Sequence, residues 1–217
     1  MGFGIYQWSS DRRDTIRIER NRRAALYVNP FLDVCEDLQS RLYNLLQGNG
    51  LSVLRARYPN RDFAEETLHM IARYFAWERI VFRYGPYTRD PEVIRLTEAV
   101  RDSFASSQLT VGPFCFFRGE QQTFADLMIV RREESSGVEF DTLPLSSFRE
   151  LVSHPPLEDL EAVTQSLESL KSATSRSELG GADRLVTVHH NLVDLLTYLE
   201  SREGISLFQG ERKLALK

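Results

Sequence analysis

The chain is 217 residues long, 42% hydrophobic and 27% charged, with a net charge of −4. Those are ordinary values for a folded globular protein, and a chain of this length buries a core without disulfides or metal. The acidic balance speaks against a nucleic-acid-binding surface over the whole domain, and no apolar run reaches the ~18 residues of a membrane span.

The first segment departs from the rest. Phe3, Ile5, Tyr6 and Trp8 form a short aromatic head without the basic and long apolar regions of a secretory signal. Residues 11–23 then carry Arg12, Arg13, Arg17, Arg20, Arg22 and Arg23 against three acids, so this stretch is +3 and the remainder −7. Ser10 or Asp11 can cap a polar helix here. With only Ile16 and Ile18 apolar before Ala24, such a helix is weakly anchored to any core.

From Asn29 a helical period is plain. Asn29-Pro30 reads as an N-cap with proline in the first turn. Phe31, Val34, Cys35, Leu38, Leu42, Leu45 and Leu46 then recur at spacings of three and four until Gly48. A connection follows to Pro59, with a short extended piece at 51–54. Asp62 is placed to cap the next helix. Its buried stripe runs through Phe63, Thr67, Met70, Ile71, Tyr74, Phe75, Val81 and Phe82, and its length and aromatic density mark it as the central helix until Gly85-Pro86. Asp90-Pro91 starts another, with Val93, Leu96, Val100 and Phe104 inward.

Residues 109–117 are apolar but interrupted by Gly112-Pro113. They read as a short strand or as an extended lead-in to a helix from Arg118 to Arg132, and 138–143 alternates as a second extended piece. Helices are expected at 146–152, 156–171 and 183–200, the last with the cleanest stripe: Leu185, Val188, His189, Leu192, Leu195, Leu196 and Leu199. Residues 172–181 read as a serine- and glycine-rich linker. The pattern therefore predicts a basic segment at 1–28, an all-α domain of about seven helices at 29–200, and a loosely held tail at 201–217.

Few constellations suggest chemistry. Glu66 and His69 form one Glu-x-x-His pair, which puts both side chains on one helix face; a carboxylate-bridged di-iron site needs that motif twice, so no metal is expected. His189 lies on a leucine stripe and reads as a hydrogen-bonded core histidine, while His190 and Asp194 are spaced as a surface pair. Cys35 and Cys115, without a CxxC pair, read as buried thiols in a reducing cytoplasm. Gly48-Asn49-Gly50 and Gly180-Gly181 lack a Walker lysine or dinucleotide fingerprint and read as turns. Catalytic residues and cofactors are therefore expected to be none.

Two clusters stand apart. Arg118-Gly119-Glu120-Gln121-Gln122 opens a helix after a Phe-rich approach. Because Arg118 and Glu120 cannot share a face, one of them points inward and needs a partner such as Glu78, Arg79 or Arg83. That makes Arg118, Glu120, Gln121, Glu78, Glu66 and His69 the candidate ligand-binding set. The second cluster is Trp8 with the six arginines of 11–23. It reads as a solvated polar helix, as a contact with anionic lipid, where each basic residue contributes around 1 kcal/mol, as a protein-partner surface, or, least favoured, as a nucleic-acid contact.

Phe75-Ala76-Trp77, Arg118-Gly119-Glu120-Gln121 with Leu127-Met128, and Leu192-Val193-Asp194-Leu195 occur in this order. They resemble the Phe-x-Trp, Arg-x-Glu-Gln…Leu-Met and Leu-Val-Asp-Leu helices of an uncharacterised group of helical proteins from bacteria and fungi. The resemblance spans 29–200 and implies a helical fold with no assigned activity. Members often carry an N-terminal membrane-spanning helix before a basic segment. The arginine cluster would then be the cytoplasmic flank of an anchor that this chain lacks.

These readings converge on a non-catalytic cytoplasmic interaction or regulatory module, at the inner face of the membrane through its basic segment. The alternative is an enzyme or ligand-binding protein with a polar site at Glu66, His69, Arg118 and Glu120.

Overall fold

The computed structural model describes residues 24–57, 63–85, 90–109, 111–134, 137–155 and 160–204, with positions 15, 18, 19, 21, 22 and 157 besides. Within them lie eight α-helices and one two-stranded antiparallel sheet, an all-α bundle with a short extended segment. No helix among the described residues is long and apolar enough to cross a membrane. The 205–217 part of the tail, and Asp62 as a cap, lie outside the described residues.

A π-helical turn, Ala24–Val28, feeds α1, Asn29–Leu46, whose apolar stripe is buried from Phe31 to Leu46. Gly48, at a φ of +42°, follows the helix end in the left-handed region that favours glycine. The stretch expected to be extended at 51–54 is instead helix α2, Gly50–Arg57. Only Leu51 is buried there, so the stripe is too thin to show in the sequence. The turn is held by Gly50 N–H to the Gln47 carbonyl and by the Ser52 hydroxyl to the Asn49 carbonyl.

Helix α3, Phe63–Tyr84, packs against α1, α5, α6, α7 and the sheet, which makes it the pillar of the bundle. Around its middle, Phe75 meets Phe104, Phe116 and Phe124 with ring centroids 5.1, 6.2 and 6.2 Å away. Phe116 and Phe124 stand edge to face at 5.2 Å, an arrangement that adds about 1 kcal/mol beyond area burial.

Helix α4, Pro91–Ala105, runs antiparallel to the long helix α8, Ala182–Glu203, and the two are stapled at both ends. At the α4 start, Asp90 caps the N–H groups of Glu92 and Val93 at 2.9 and 3.0 Å, receives the Tyr198 hydroxyl, and pairs with Arg202. At the α4 end, the guanidinium of Arg184, 1% exposed, donates to the carbonyls of Ser103, Phe104 and Ser106 at 2.7, 2.8 and 2.9 Å. These are helix-terminal carbonyls without intrahelical partners, which a buried cation satisfies well. Midway, Asn191 donates to Ser103 Oγ at 2.7 Å.

Residues 111–117 form turns and an extended lead-in, not a strand. Phe114 sits fully buried at a φ of +62°, strained for a non-glycine residue, with its N–H given to Ser166 Oγ at 2.7 Å. Gly181 lies against this loop so closely that a Cβ there would come 2.5 Å from the Pro113 carbonyl oxygen.

Helix α5, Arg118–Met128, stops four residues short of the expected Arg132. Ile129 turns extended, and β1, Ile129–Glu134, pairs with β2, Gly137–Thr142, in the register Ile129 to Thr142. The expected extended piece at 138–143 is thus one strand of an antiparallel pair whose other strand, 129–134, takes the place of the last turn of the expected helix. Helix α6, Leu145–Val152, follows. Helix α7, Glu161–Ser172, starts later than the expected 156, because Leu157 is buried in a turn ahead of it. The expected 172–181 linker holds a 3-10 turn, Arg176–Glu178, with Ala173 and Leu179 buried on either side. Arg55 of α2 gives its guanidinium to the Leu170 and Lys171 carbonyls at the end of α7.

Candidate functional site

Glu78 is the group that singles out one place in this bundle. It lies on α3 one turn beyond Tyr74, next to the aromatic cluster, and is buried to 8% exposure. Among the described residues its carboxylate meets one cation, Arg101 of α4, at 3.5 Å. Burial is the main cause of a pKa raised to about 7; Glu98 adds to the rise, while Arg101, Arg118 and Arg79 pull against it.

Around Glu78 the three helices α3, α4 and α5 interlock through polar groups. Gln121, buried on α5, donates to the carbonyls of Arg101 and Phe116 at 2.9 and 2.8 Å and accepts from Arg101 Nε at 3.2 Å. Both its amide hydrogens and its oxygen are used, so Gln121 ties the start of α5 to α4 and to the Phe-rich approach. Arg101 also gives Nη1 to Glu98 at 3.0 Å. Arg118 reaches back to α4, bonding Glu98 and Asp102 at 2.5 and 2.6 Å. A cation in the first turn of a helix opposes the macrodipole, and those two carboxylates offset it.

This cluster opens into a cavity of about 480 Å³ lined by Glu78, Arg79, Phe82, Arg83, Arg101, Gln121, Gln122 and Ala125. That size lies within the range of small-molecule sites. Its wall combines a buried carboxyl, a buried amide, three guanidinium groups and the apolar faces of Phe82 and Ala125. Arg79 is paired with Asp126 at 2.9 Å. Arg83 is exposed and, among the described residues, lies over the Tyr84 ring at 5.7 Å without a carboxylate partner. Two larger hollows carry less chemistry. One, about 670 Å³ at Arg176, Asp183 and Arg184, uses a guanidinium already committed to capping α4; the other, about 600 Å³, is a groove beside Tyr27, Tyr84 and Phe140.

The expected ligand set is divided between two regions. Glu78, Arg118 and Gln121 come together. Glu120 does not point into the cavity: its carboxylate bends back to the Phe117 N–H at 2.6 Å and caps α5. Neither Arg118 nor Glu120 is the inward member of that helix start; Gln121 is, and Glu78 pairs with Arg101, not with Arg118. Glu66 and His69 lie elsewhere, since twelve residues of helix separate Glu66 from Glu78, about 18 Å. Glu66 pairs with Arg41 of α1 at 3.0 Å. His69 donates Nε2–H to the Leu143 carbonyl at 2.8 Å and lies 5.2 Å from the Phe148 ring; burial lowers its pKa. Among the described residues no group of three His, Cys, Asp or Glu side chains is placed to hold a metal.

Arg101 is a site residue that the sequence pattern does not single out. It continues the α4 face of Thr97 and Phe104 at helical spacing, the one available signal, but the eye follows the leucines and valines beside it. His189 is a hydrogen-bonded core residue: Gln39 Nε2 lies 2.9 Å from its Nε2, and an amide nitrogen donates, so the ring proton sits on Nδ1. Burial, with His190 adding, lowers its pKa to about 4. Both cysteines are buried and free. Of the basic segment, Trp8, Arg12, Arg13, Arg17, Arg20 and Arg23 lie outside the described residues, whereas Thr15, Ile18, Glu19, Asn21 and Arg22 are all exposed.

Fold and site together define an all-α bundle with a polar pocket open to the surface between three of its helices. No protein-family model matches the chain, and no curated protein or solved structure matches it.

Proposed function

We propose that this protein is a regulatory binding module that takes a small ligand in the cavity between α3, α4 and α5. The observation that carries this reading is Glu78: a carboxyl nine-tenths buried, facing a hollow of about 480 Å³, with one cation at 3.5 Å as its contact among the described residues. A buried ionisable group costs several kcal/mol unless it is well paired, and one lining a cavity is a functional-site candidate for that reason. The wall offers recognition groups more than reactive ones, with one carboxyl set among arginines and glutamines.

A thermal-shift screen of small polar metabolites tests this. Ligands that raise the melting temperature of the native protein are expected to lose their effect in Gln122→Trp, which fills the mouth from an exposed position. A screen with no stabilising compound, or with hits that Gln122→Trp leaves untouched, contradicts the reading.

A second reading concerns the basic segment, and one observation favours it. Every described position of 15–22 is exposed, and Ile18 shows 65% of its surface. This agrees with a stretch that lies on an anionic membrane surface, its arginines at the headgroups and its aromatics in the interface. Flotation with anionic liposomes is expected to carry the full chain and to leave behind one lacking residues 1–25. Equal behaviour of the two disposes of it.

A further inference from the structure

The cavity's charges point to the class of its ligand. Four guanidinium groups stand in or beside it, on Arg79, Arg83, Arg101 and Arg118, and four carboxyls, on Glu78, Glu98, Asp102 and Asp126. Arg79 is held by Asp126, Arg118 by Asp102 and Glu98, and Arg101 by Glu98. Arg83 remains over the Tyr84 ring. With Glu78 ionised the set is neutral. With Glu78 protonated it carries one positive charge, located at Arg83 and Arg101 on the cavity wall.

Resting on the binding-module reading above, we infer that the α3–α4–α5 cavity takes a small monocarboxylate, together with one proton held between the ligand and Glu78. The carboxylate lies between Arg83, whose planar fork matches its two oxygens, and Arg101. Glu78, protonated, donates to it, since two carboxyls in contact keep one proton between them. No bond is made or broken; the proton comes from solvent and stays shared. Phe82 and Ala125 offer the apolar tail of the ligand an apolar wall. A monoanion neutralises the protonated set, whereas a dianion leaves it with a net negative charge.

The groups facing Glu78 support the proton's place. On α3 these are Tyr74 and Arg79, on α4 Glu98 and Arg101, and on α5 Arg118 and Gln121. Burial outweighs the three cations, so the acid takes up a proton near neutral pH.

The test uses backbone amide shifts of the full chain, titrated separately with propionate and with methylguanidinium between about pH 6 and pH 8.5. Propionate is expected to shift the amides of Glu78, Arg101 and Gln121, with a dissociation constant that rises about tenfold per pH unit above pH 7, the slope of one proton taken up. In Glu78→Gln, which mimics the protonated acid, the same binding should persist with no pH dependence. Arg83→Gln, at an exposed position that the fold does not need, should weaken it about tenfold or more. Shifts with methylguanidinium but not with propionate overturn the carboxylate assignment and leave the binding module standing. Propionate binding in the native protein without a pH slope overturns the shared proton. No shift of these amides with either probe removes the inference, and the binding-module reading then rests on the thermal-shift screen with its neutral compounds.

Discussion

Replacing Glu78 by glutamine isolates the cost of keeping its carboxyl inside the bundle. The acid has a folded pKa of about 7 against 4.5 for the free group. Between those values the folded state binds more protons than the unfolded one, so stability is present below pH 4.5 and is lost as pH rises through 7. At about 1.4 kcal/mol per pKa unit the full loss is on the order of 3 kcal/mol, of which about 2.5 kcal/mol falls between pH 5 and pH 8. Glutamine has the same shape and no titration. Urea unfolding, followed by the fluorescence of buried Trp77, is run on both proteins at several pH values. The difference between them, Glu78→Gln minus native, should grow by about that amount from pH 5 to pH 8. The difference is the quantity to read because His189 works in the opposite direction. Its depressed pKa makes the native protein lose stability as pH falls from 6.5 towards 4, which hides the Glu78 effect in a single curve. Parallel stability curves for the two proteins would refute the claim that Glu78 is buried and poorly paired.

Three further outcomes follow from the packing. The His189 imidazole should stay neutral on acidification to about pH 4, so a carbon-bound proton resonance titrating near 6.5 contradicts its burial against Gln39. Arg184→Met removes three bonds to the end of α4 and leaves those carbonyls buried, a loss on the order of 4 kcal/mol by denaturant unfolding; a change under about 1 kcal/mol speaks against that capping role. Alanine should act with opposite signs at two glycines. Gly181→Ala meets the Pro113 carbonyl at a φ of +74° and should destabilise by more than about 1 kcal/mol, whereas Gly119→Ala, in helix α5 with open space around it, should stabilise by about 0.5 kcal/mol. Like signs for the two changes contradict the packing at Gly181.

The elements legible in the sequence are those with thick apolar stripes and local caps. In α8, leucine and valine from Leu185 to Leu199 return every third or fourth position, and Asp90-Pro91 announces α4 by capping chemistry that the structure realises. What stayed hidden depends on distant partners. The run Ile129-Val130-Arg131-Arg132-Glu133-Glu134 has no apolar alternation and becomes a strand because 137–142 pairs with it. Helix α2 buries a single leucine. The site divides in the same way. Arg118 and Gln121 were visible because a polar cluster at a helix start is conspicuous, and Glu78 was visible as an acid on an aromatic helix. Arg101 was not, because its meaning comes from α3 and α5, twenty residues away in either direction. The Glu66–His69 spacing drew attention for its pattern, yet Arg41 and the Leu143 carbonyl satisfy those two side chains far from the cavity.

The most direct measurement is a crystallographic soak of fragment-sized acids, amides and amines into the protein. Density is predicted beside Glu78, with a ligand atom within hydrogen-bond distance of its carboxyl and of Arg101 or Gln121. Fragments that settle instead in the groove beside Tyr84 and Phe140, or in the hollow at Arg176 and Asp183, while the α3–α4–α5 cavity holds only solvent, would contradict the account.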